Sequence, residues 1–310
     1  MSYRLLLLAP LALALSACGS SGNAPAPAPA PAPQAQATTT ATPAATTAPA
    51  ASGSTAVASS AATTPVAAPG GPVATPMLTA ADKAAMLKAA KSFNPNAPWV
   101  EGKNYFTISP AQPRVTSTDK IEVVEVFNWG CPACNAAHPI IDKIGAGLPS
   151  YATMAYLPAG FRPDENWTLY QRAWYTAKAL GLAKKSYNAM FDANWKTGET
   201  GSYNLATGQL NPRAKWPDIH TIANFYHKTY GVPAKQFVAI ADSFTVNTQM
   251  KRADKLVQSY GVPGTPTIII DGRYRFGFQS AGGYAKGAEL AKWLVAKEAK
   301  RITSEQAAQQ

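Results

Sequence analysis

The stretch Ile121-Glu122-Val123-Val124-Glu125-Val126-Phe127-Asn128-Trp129-Gly130-Cys131-Pro132-Ala133-Cys134 decides the fold. Branched apolar residues dominate its first seven positions, the mark of a short buried strand. Four residues beyond Phe127 a Cys-x-x-Cys pair opens a helix expected from Pro132 to about Ile144. At a helix N-terminus, unpaired N–H groups and the positive end of the dipole stabilise a thiolate, so Cys131 reads as a nucleophile. Pro132 suits the first helical position, where its missing N–H costs nothing. Cys134, one turn further in, reads as a buried resolving thiol. Thiol–disulfide exchange needs that asymmetry, an exposed low-pKa sulfur backed by a second that releases it. A purely structural disulfide here closes a small, strained loop and confines the unfolded chain little. A metal centre needs more ligands than one Cys-x-x-Cys supplies, and of His138, His220 and His227 only His138 is near in sequence.

Working outward, a strand is expected near Ala152 to Leu157, which makes a βαβ unit with a parallel pair. Asn166 to Leu182 is helical in pattern, with Leu169, Ala173, Trp174, Ala177 and Leu180 on one stripe. Trp195 to Trp216 is rich in Gly, Asn and Pro and reads as a long loop. Helical patterning resumes over Ile219–Thr229 and again over Ala234–Tyr260. Then come the apolar run Thr267–Ile270, the hairpin signal Asp271-Gly272, a strand from Arg273 to Phe278 and a last helix over about Lys286–Arg301. Upstream, Lys103–Ile108 reads as a strand, and Ala80–Lys88 as a short helix that Pro95 and Pro98 bring to an end. The order is βαβ, a long helical insertion, then ββα.

The chain has 310 residues, 28 basic and 17 acidic, with three cysteines and 26 prolines, and none of residues 5–81 is charged or histidine. Ordinary globular surface is therefore confined to the part from Asp82 onward, which carries 27 basic against 17 acidic residues, a net +10. That part is long enough for one core, or one core with an insertion. Leu5–Ala17, the one apolar run of membrane character, is shorter than the roughly 20 residues a spanning helix needs, so a multi-span membrane protein is excluded. Arg4 followed by that run has the form of a secretory signal, residues 1–17. The run ends in Leu15-Ser16-Ala17-Cys18, which resembles the bacterial lipobox and makes Cys18 the expected lipidation site. The plainer alternative is cleavage after Ala17 with Cys18 incidental. Gly19 after the cysteine, in place of aspartate, leans towards the outer membrane. From Gly19 to Pro76 the chain is almost wholly Ala, Pro, Thr, Ser and Gly, a composition too poor in large apolar surface to order itself. Extended at about 3.1 Å per residue, such a tether reaches on the order of 180 Å.

The stretch around Cys131 and the chain on either side of it resemble the thioredoxin superfamily and, within it, the DsbA family of periplasmic thiol oxidases. The resemblance covers about Trp99 to Lys300. It rests on Glu101-Gly102-Lys103-Asn104-Tyr105, on Val124 to Gly130 leading into Cys131-Pro132-Ala133-Cys134, on Pro139 in the active-site helix, on Gly264-Thr265-Pro266-Thr267, and on the helical insertion. It implies an α/β thioredoxin-like fold, βαβ…ββα, over residues 95–302, with the helical subdomain at about 163–260, behind the tether of 18–78 and before a disordered tail at 303–310. It also implies that Pro266 follows a cis bond and leaves the backbone of Thr265 facing the sulfurs. Thr265 is then able to bond a sulfur; the alternative is a turn residue that happens to be polar. Glu125, within an apolar strand, has its pKa raised if buried without a charge partner and then exchanges a proton with Cys134; the alternative is a solvated strand end. Ala133 departs from the family, whose familiar members carry histidine there, so a weaker oxidant with a higher Cys131 pKa is expected. Trp129, Trp167, Trp174, Phe276 and Phe278 are candidates for an apolar substrate surface, against the more ordinary role of core.

The expected activity is thiol:disulfide oxidation of exported proteins by the redox-active pair Cys131–Cys134, with no separate cofactor and no metal. The implied partners are folding proteins with free thiols and a DsbB-like, quinone-linked membrane reoxidant, with nucleic acid improbable for an exported chain and the protein itself a monomer. The expected location is the periplasm, held to the envelope by the lipid anchor. Two rivals stand beside this reading: an isomerase or reductase of the same fold, and a non-catalytic envelope chaperone that uses the groove without turnover. The net positive charge reads as a solvated basic face.

Overall fold

The computed structural model describes residues 77–309. The signal run, Cys18 and nearly all of the tether lie outside the described residues.

The strand β2 (Ile121–Phe127) is buried at every position. It is an interior strand: β3 (Ala152–Pro158) runs parallel on one side and β4 (Thr267–Ile270) antiparallel on the other. A parallel pair requires a crossover, and α2 (Pro132–Ala146) supplies it. With β1 (Phe106–Thr107) and β5 (Tyr274–Gly277) the sheet order is β1-β5-β4-β2-β3. Asp271 and Gly272 both take left-handed φ, +52° and +65°, in the turn between β4 and β5. Alternation along β2 sends its residues to two cores, one on each face. Val124 and Val126 pack with Trp174, Tyr187, Tyr226 and Phe237 of the helical insertion. Ile121 and Val123 pack with Ile141 of α2 and with Leu290 and Leu294 near the C-terminus.

The insertion comprises α3 (Trp167–Ala179), α4 (Ala183–Trp195), α5 (Ile219–Tyr230), α6 (Ala234–Ala241) and α7 (Phe244–Ser259). The helix expected over 166–182 ends at Ala179, and Gly181 at φ +71° turns the chain before α4. The helix expected over Ala234–Tyr260 is two. The chain leaves α6 at Asp242, and Ser243 caps α7 by accepting the Val246 N–H at 3.3 Å. After β5 come a single turn, α8 (Phe278–Ala281), and the long α9 (Tyr284–Ala308).

Both ends of the folded part differ from the sequence expectation. The N-terminal helix α1 (Ala80–Lys91) starts in a Thr79/Asp82 capping box, buries Met86 and Ala90, and pairs Asp82 with Lys120 at 3.2 Å. The Leu78 N–H donates to Asp119 at 2.6 Å, so the fold reaches back to Leu78 and not only to residue 95. At the other end, residues 303–308 continue α9 and are not a disordered tail. Arg301 holds Glu298 and Glu305 on either side of it, and the Thr303 hydroxyl donates to the Ala299 carbonyl at 2.9 Å, so helical spacing keeps the last turns together. Among the described residues no helix is long and apolar enough to cross a membrane.

Candidate active site

Cys131 is the N-cap of α2, and both cysteines are thiols. Its Sγ accepts the backbone N–H of Cys134 at 3.2 Å and the Thr265 hydroxyl at 3.2 Å, and itself lies 3.5 Å from the Thr265 carbonyl. Cys134, its thiol directed at Cys131, is wholly buried. The consequence is a split pair. A hydrogen bond from the Cys134 thiol, then the Thr265 hydroxyl and the N–H groups of Cys134 and Ala133, bring Cys131 down to about 7 against the opposing effect of burial. Burial and the neighbouring Cys131 push Cys134 far up. At neutral pH one sulfur is already about half thiolate while the other stays a thiol, the asymmetry exchange requires.

Pro132 and Ala133 are exposed on the rim, and the Thr265–Pro266 bond is cis, as the family resemblance implies. A second cis bond, Ser109–Pro110, lies outside the segments to which the resemblance assigns one. The Pro266 loop and α2 border an open groove of about 830 Å³, lined by Ala133, Pro263, Gly264, Thr265, Phe278 and Tyr284 among others. The groove thus runs up to the residue between the two cysteines.

Glu125 is 0% exposed, which removes the solvated strand end as a reading. Its Oε2 accepts the Tyr187 hydroxyl at 2.5 Å, while its Oε1 is buried with no hydrogen-bond partner. Burial, offset by Tyr187 and reinforced by Cys131 and Asp142, pushes Glu125 up to about 8. Its charge in turn acts on Cys134. The neighbouring Glu122, also 0% exposed, is treated differently: the N–H groups of Val115 and Thr116, each at 2.8 Å, and the Thr116 hydroxyl all donate to it.

The five aromatic candidates for a substrate surface are core. Trp129, Trp167, Trp174, Phe276 and Phe278 are each 7% exposed or less. Trp174 lies edge-on to Phe127 and Trp129, filling the space between sheet and insertion, and only Phe278 also borders the groove. The residues that hold the site from behind were not legible as site residues. Tyr187 is one, in a segment whose stripe Ala183, Tyr187, Met190 and Asn194 carries helical spacing. Its carbonyl accepts the Trp129 indole N–H at 3.0 Å. Asn194 and Trp195 both donate to the Trp129 carbonyl, at 3.0 and 2.8 Å, and Asn128 ties the Gly130 N–H to the carbonyls of Ala159 and Trp167. The end of α4, where the loop leading to residue 216 begins, is therefore clasped to the backbone just before Cys131. Tyr203 in that loop lies tilted against Trp195, with ring centroids 5.1 Å apart, and burial and then Glu165 raise its phenol.

No family model matches the chain. A thiol:disulfide interchange protein DsbA of Pseudomonas aeruginosa is 34% identical over 217 residues, 69% of this chain and 94% of the relative. The crystal structure of Pseudomonas aeruginosa DsbA superposes with a TM-score of 0.55 at 32% identity, covering 67% of this chain and 97% of that one. That of the oxidoreductase DsbA from Xylella fastidiosa gives 0.55 at 28% identity, covering 65% and 97%. With almost the whole length of these relatives spanned, a thioredoxin-like sheet carrying a helical insertion, and a split Cys-x-x-Cys pair at its centre, the chain belongs to the DsbA family and is a thiol:disulfide oxidoreductase.

Proposed function

We propose that the protein oxidises thiols of exported polypeptides, with Cys131 as the sulfur exchanged with substrate and Cys134 as the resolving sulfur. A substrate thiolate attacks Sγ of Cys131 in the disulfide form. The Cys131–Cys134 bond breaks, and Cys134 leaves as a thiolate that takes a proton from Glu125. The second substrate thiolate attacks the substrate sulfur of the mixed disulfide and expels the Cys131 thiolate. Two electrons pass to the cysteine pair, and the substrate gains the disulfide. The redox couple is the chain's own, and a quinone-linked membrane protein of the DsbB type returns it to the disulfide. An extended client segment pairs with the backbone at Thr265 by strand addition, its side chains in the neighbouring groove. Cys18 carries the lipid that holds the domain, on its tether, to the periplasmic face of the outer membrane.

The observation that carries the reading is the split pair: Cys131 at about 7 with three groups fixing its sulfur, over a fully buried Cys134. Cys131→Ser is expected to abolish oxidation of a reduced, unfolded substrate, and reduced Cys134→Ser, mixed with glutathione disulfide, to hold glutathione on Cys131 with release of one glutathione thiolate, seen as a reducible adduct by mass spectrometry. A Cys131→Ser protein with undiminished activity is a chaperone and sinks the proposal. The resting state decides direction: an oxidase is recovered from cells as the disulfide, an isomerase or reductase as the dithiol. For the anchor, a palmitate analogue is expected to label the wild type and not Cys18→Ala.

A further inference from the structure

Among the described residues no cation bears on the Glu125 acid. The groups whose charge or hydrogen bonding bears on it are Tyr187, Cys131 and Asp142. Around it, β4 offers Ile268 at the paired position and β3 offers Tyr156, whose ring lies 4.7 Å from that of Tyr187. From α2 come Cys131, Cys134, His138, which stacks on Phe191, and Asp142, which is exposed and bonded by the Asn188 amide at 2.8 Å. On α4, Lys184 and Lys185 stand at exposed positions. Among the described residues the Tyr187 hydroxyl is the one donor to the carboxyl, and it comes from the helical insertion, from the same residue whose carbonyl holds Trp129 two positions before Cys131.

We infer that Tyr187 is a positioning residue for the proton transfer: by donating to Oε2 it fixes the Glu125 carboxyl and leaves Oε1, bare and buried, as the atom that exchanges a proton with Cys134. This rests on the proposed roles of Glu125 and Cys134 and adds a group that governs them. The chemistry balances. When Cys134 resolves a mixed disulfide on Cys131, its proton moves to Oε1 of the Glu125 carboxylate, its sulfur bonds to Cys131, and the outer thiolate departs. The phenol keeps its own proton throughout, since burial first and the Glu125 charge second hold it neutral. Because Tyr187 stabilises the carboxylate, its loss raises the pH at which Glu125 can act as base.

The test uses the full-length chain. The reduced protein is mixed rapidly with glutathione disulfide from pH 6 to 10, quenched in acid, and the decay of the Cys131–glutathione adduct is followed by mass spectrometry. In the wild type, decay is expected to rise with pH through an inflection near that of Glu125. In Tyr187→Phe, which keeps the ring packed, the inflection is expected to move up by about one to two pH units, the worth of a hydrogen bond to a charged group. In a Glu125→Gln background the inflection is absent, and adding Tyr187→Phe is expected to change nothing. An unmoved inflection in Tyr187→Phe overturns the inference, and so does an equal effect of Tyr187→Phe with and without Glu125. A wild type that forms no adduct at Cys131 fails the functional reading instead, so the two failures are told apart.

Discussion

Replacing Ala133 by histidine is expected to make the protein a stronger oxidant, by an amount the Cys131 environment sets. Ala133 is exposed at the N-terminal end of α2, beside the groove and one residue from Cys131, so an imidazole there has room to reach the sulfur. A hydrogen bond to a charged acceptor is worth about 1.5–3 kcal/mol, or roughly one to two pKa units. Cys131 then falls from about 7 to about 5–6. The thiolate stabilises the reduced state by the factor 1 + 10^(pH − pKa). At pH 7 that factor is about 2 in the wild type and about 11 to 101 in Ala133→His, a gain of roughly 5- to 50-fold. At about 30 mV per tenfold for two electrons, the potential rises by about 20–50 mV. Thr265→Val removes the hydroxyl donor to the same sulfur and is the matched control. Raising a group that is already half protonated forfeits at most a factor of about 2, so the potential falls by about 10 mV at most. The assay is equilibrium against glutathione buffers, with thiolate absorbance against pH for the pKa. A more reducing Ala133→His, or a Thr265→Val shift as large as the histidine's, would refute the argument that the Cys131 thiolate governs the potential.

Glu125 takes up a proton on folding, since its folded pKa of about 8 lies above the unfolded 4.5. Its penalty is absent below about pH 4.5 and grows as pH rises towards 8, reaching about 3 kcal/mol at pH 7 and under about 1 kcal/mol at pH 5. Glu125→Gln is therefore expected to stabilise the reduced protein by about those amounts in urea titrations, and an equal gain at both pH values would contradict the burial argument. Gly272→Ala is expected to cost more than about 2 kcal/mol in the same titration, because φ is +65° and the added Cβ would stand 2.2 Å from the Gln112 carbonyl oxygen. Wild-type stability in that variant would mean the β4–β5 turn is not held as described.

The parts of this fold that were legible in the sequence are those where one local signal suffices. Strand β2 and the start of α2 came from an apolar run, an N-capping cysteine and a proline at the first helical position. The turn at Asp271-Gly272 came from two residues that tolerate left-handed φ. Where a boundary depends on tertiary contact, local pattern misled. The apolar residues of 234–260 look continuous, yet the break at Asp242–Ser243 lets α6 and α7 pack separately against α3. The tail beyond Arg301 has little apolar character and stays helical through Glu298, Arg301 and Glu305. The large aromatics near the cysteines looked like a binding face because sequence shows that a residue is apolar, not which side of a sheet it covers.

The two glutamates of β2 carry the sharpest lesson about function. Glu122 and Glu125 are three residues apart in one strand and equally buried, and nothing in their residue type separates them. What separates them is who donates. Glu122 receives three hydrogen bonds from Val115 and Thr116, a few residues upstream, where the chain folds back onto the strand. Those donors satisfy the carboxylate, so its burial is structural. Glu125 receives a single donor, from Tyr187, 62 residues away on a helix of the insertion, and keeps one oxygen bare. Burial raises both acids, but three donors oppose it at Glu122, whereas the half-satisfied Glu125 is pushed up to about 8, close to the point of changing charge. The insertion therefore does more than widen the molecule: through Tyr187 and Trp195 it reaches the buried Glu125 carboxyl and the backbone before Cys131, the two places from which we propose the chemistry of the pair is governed.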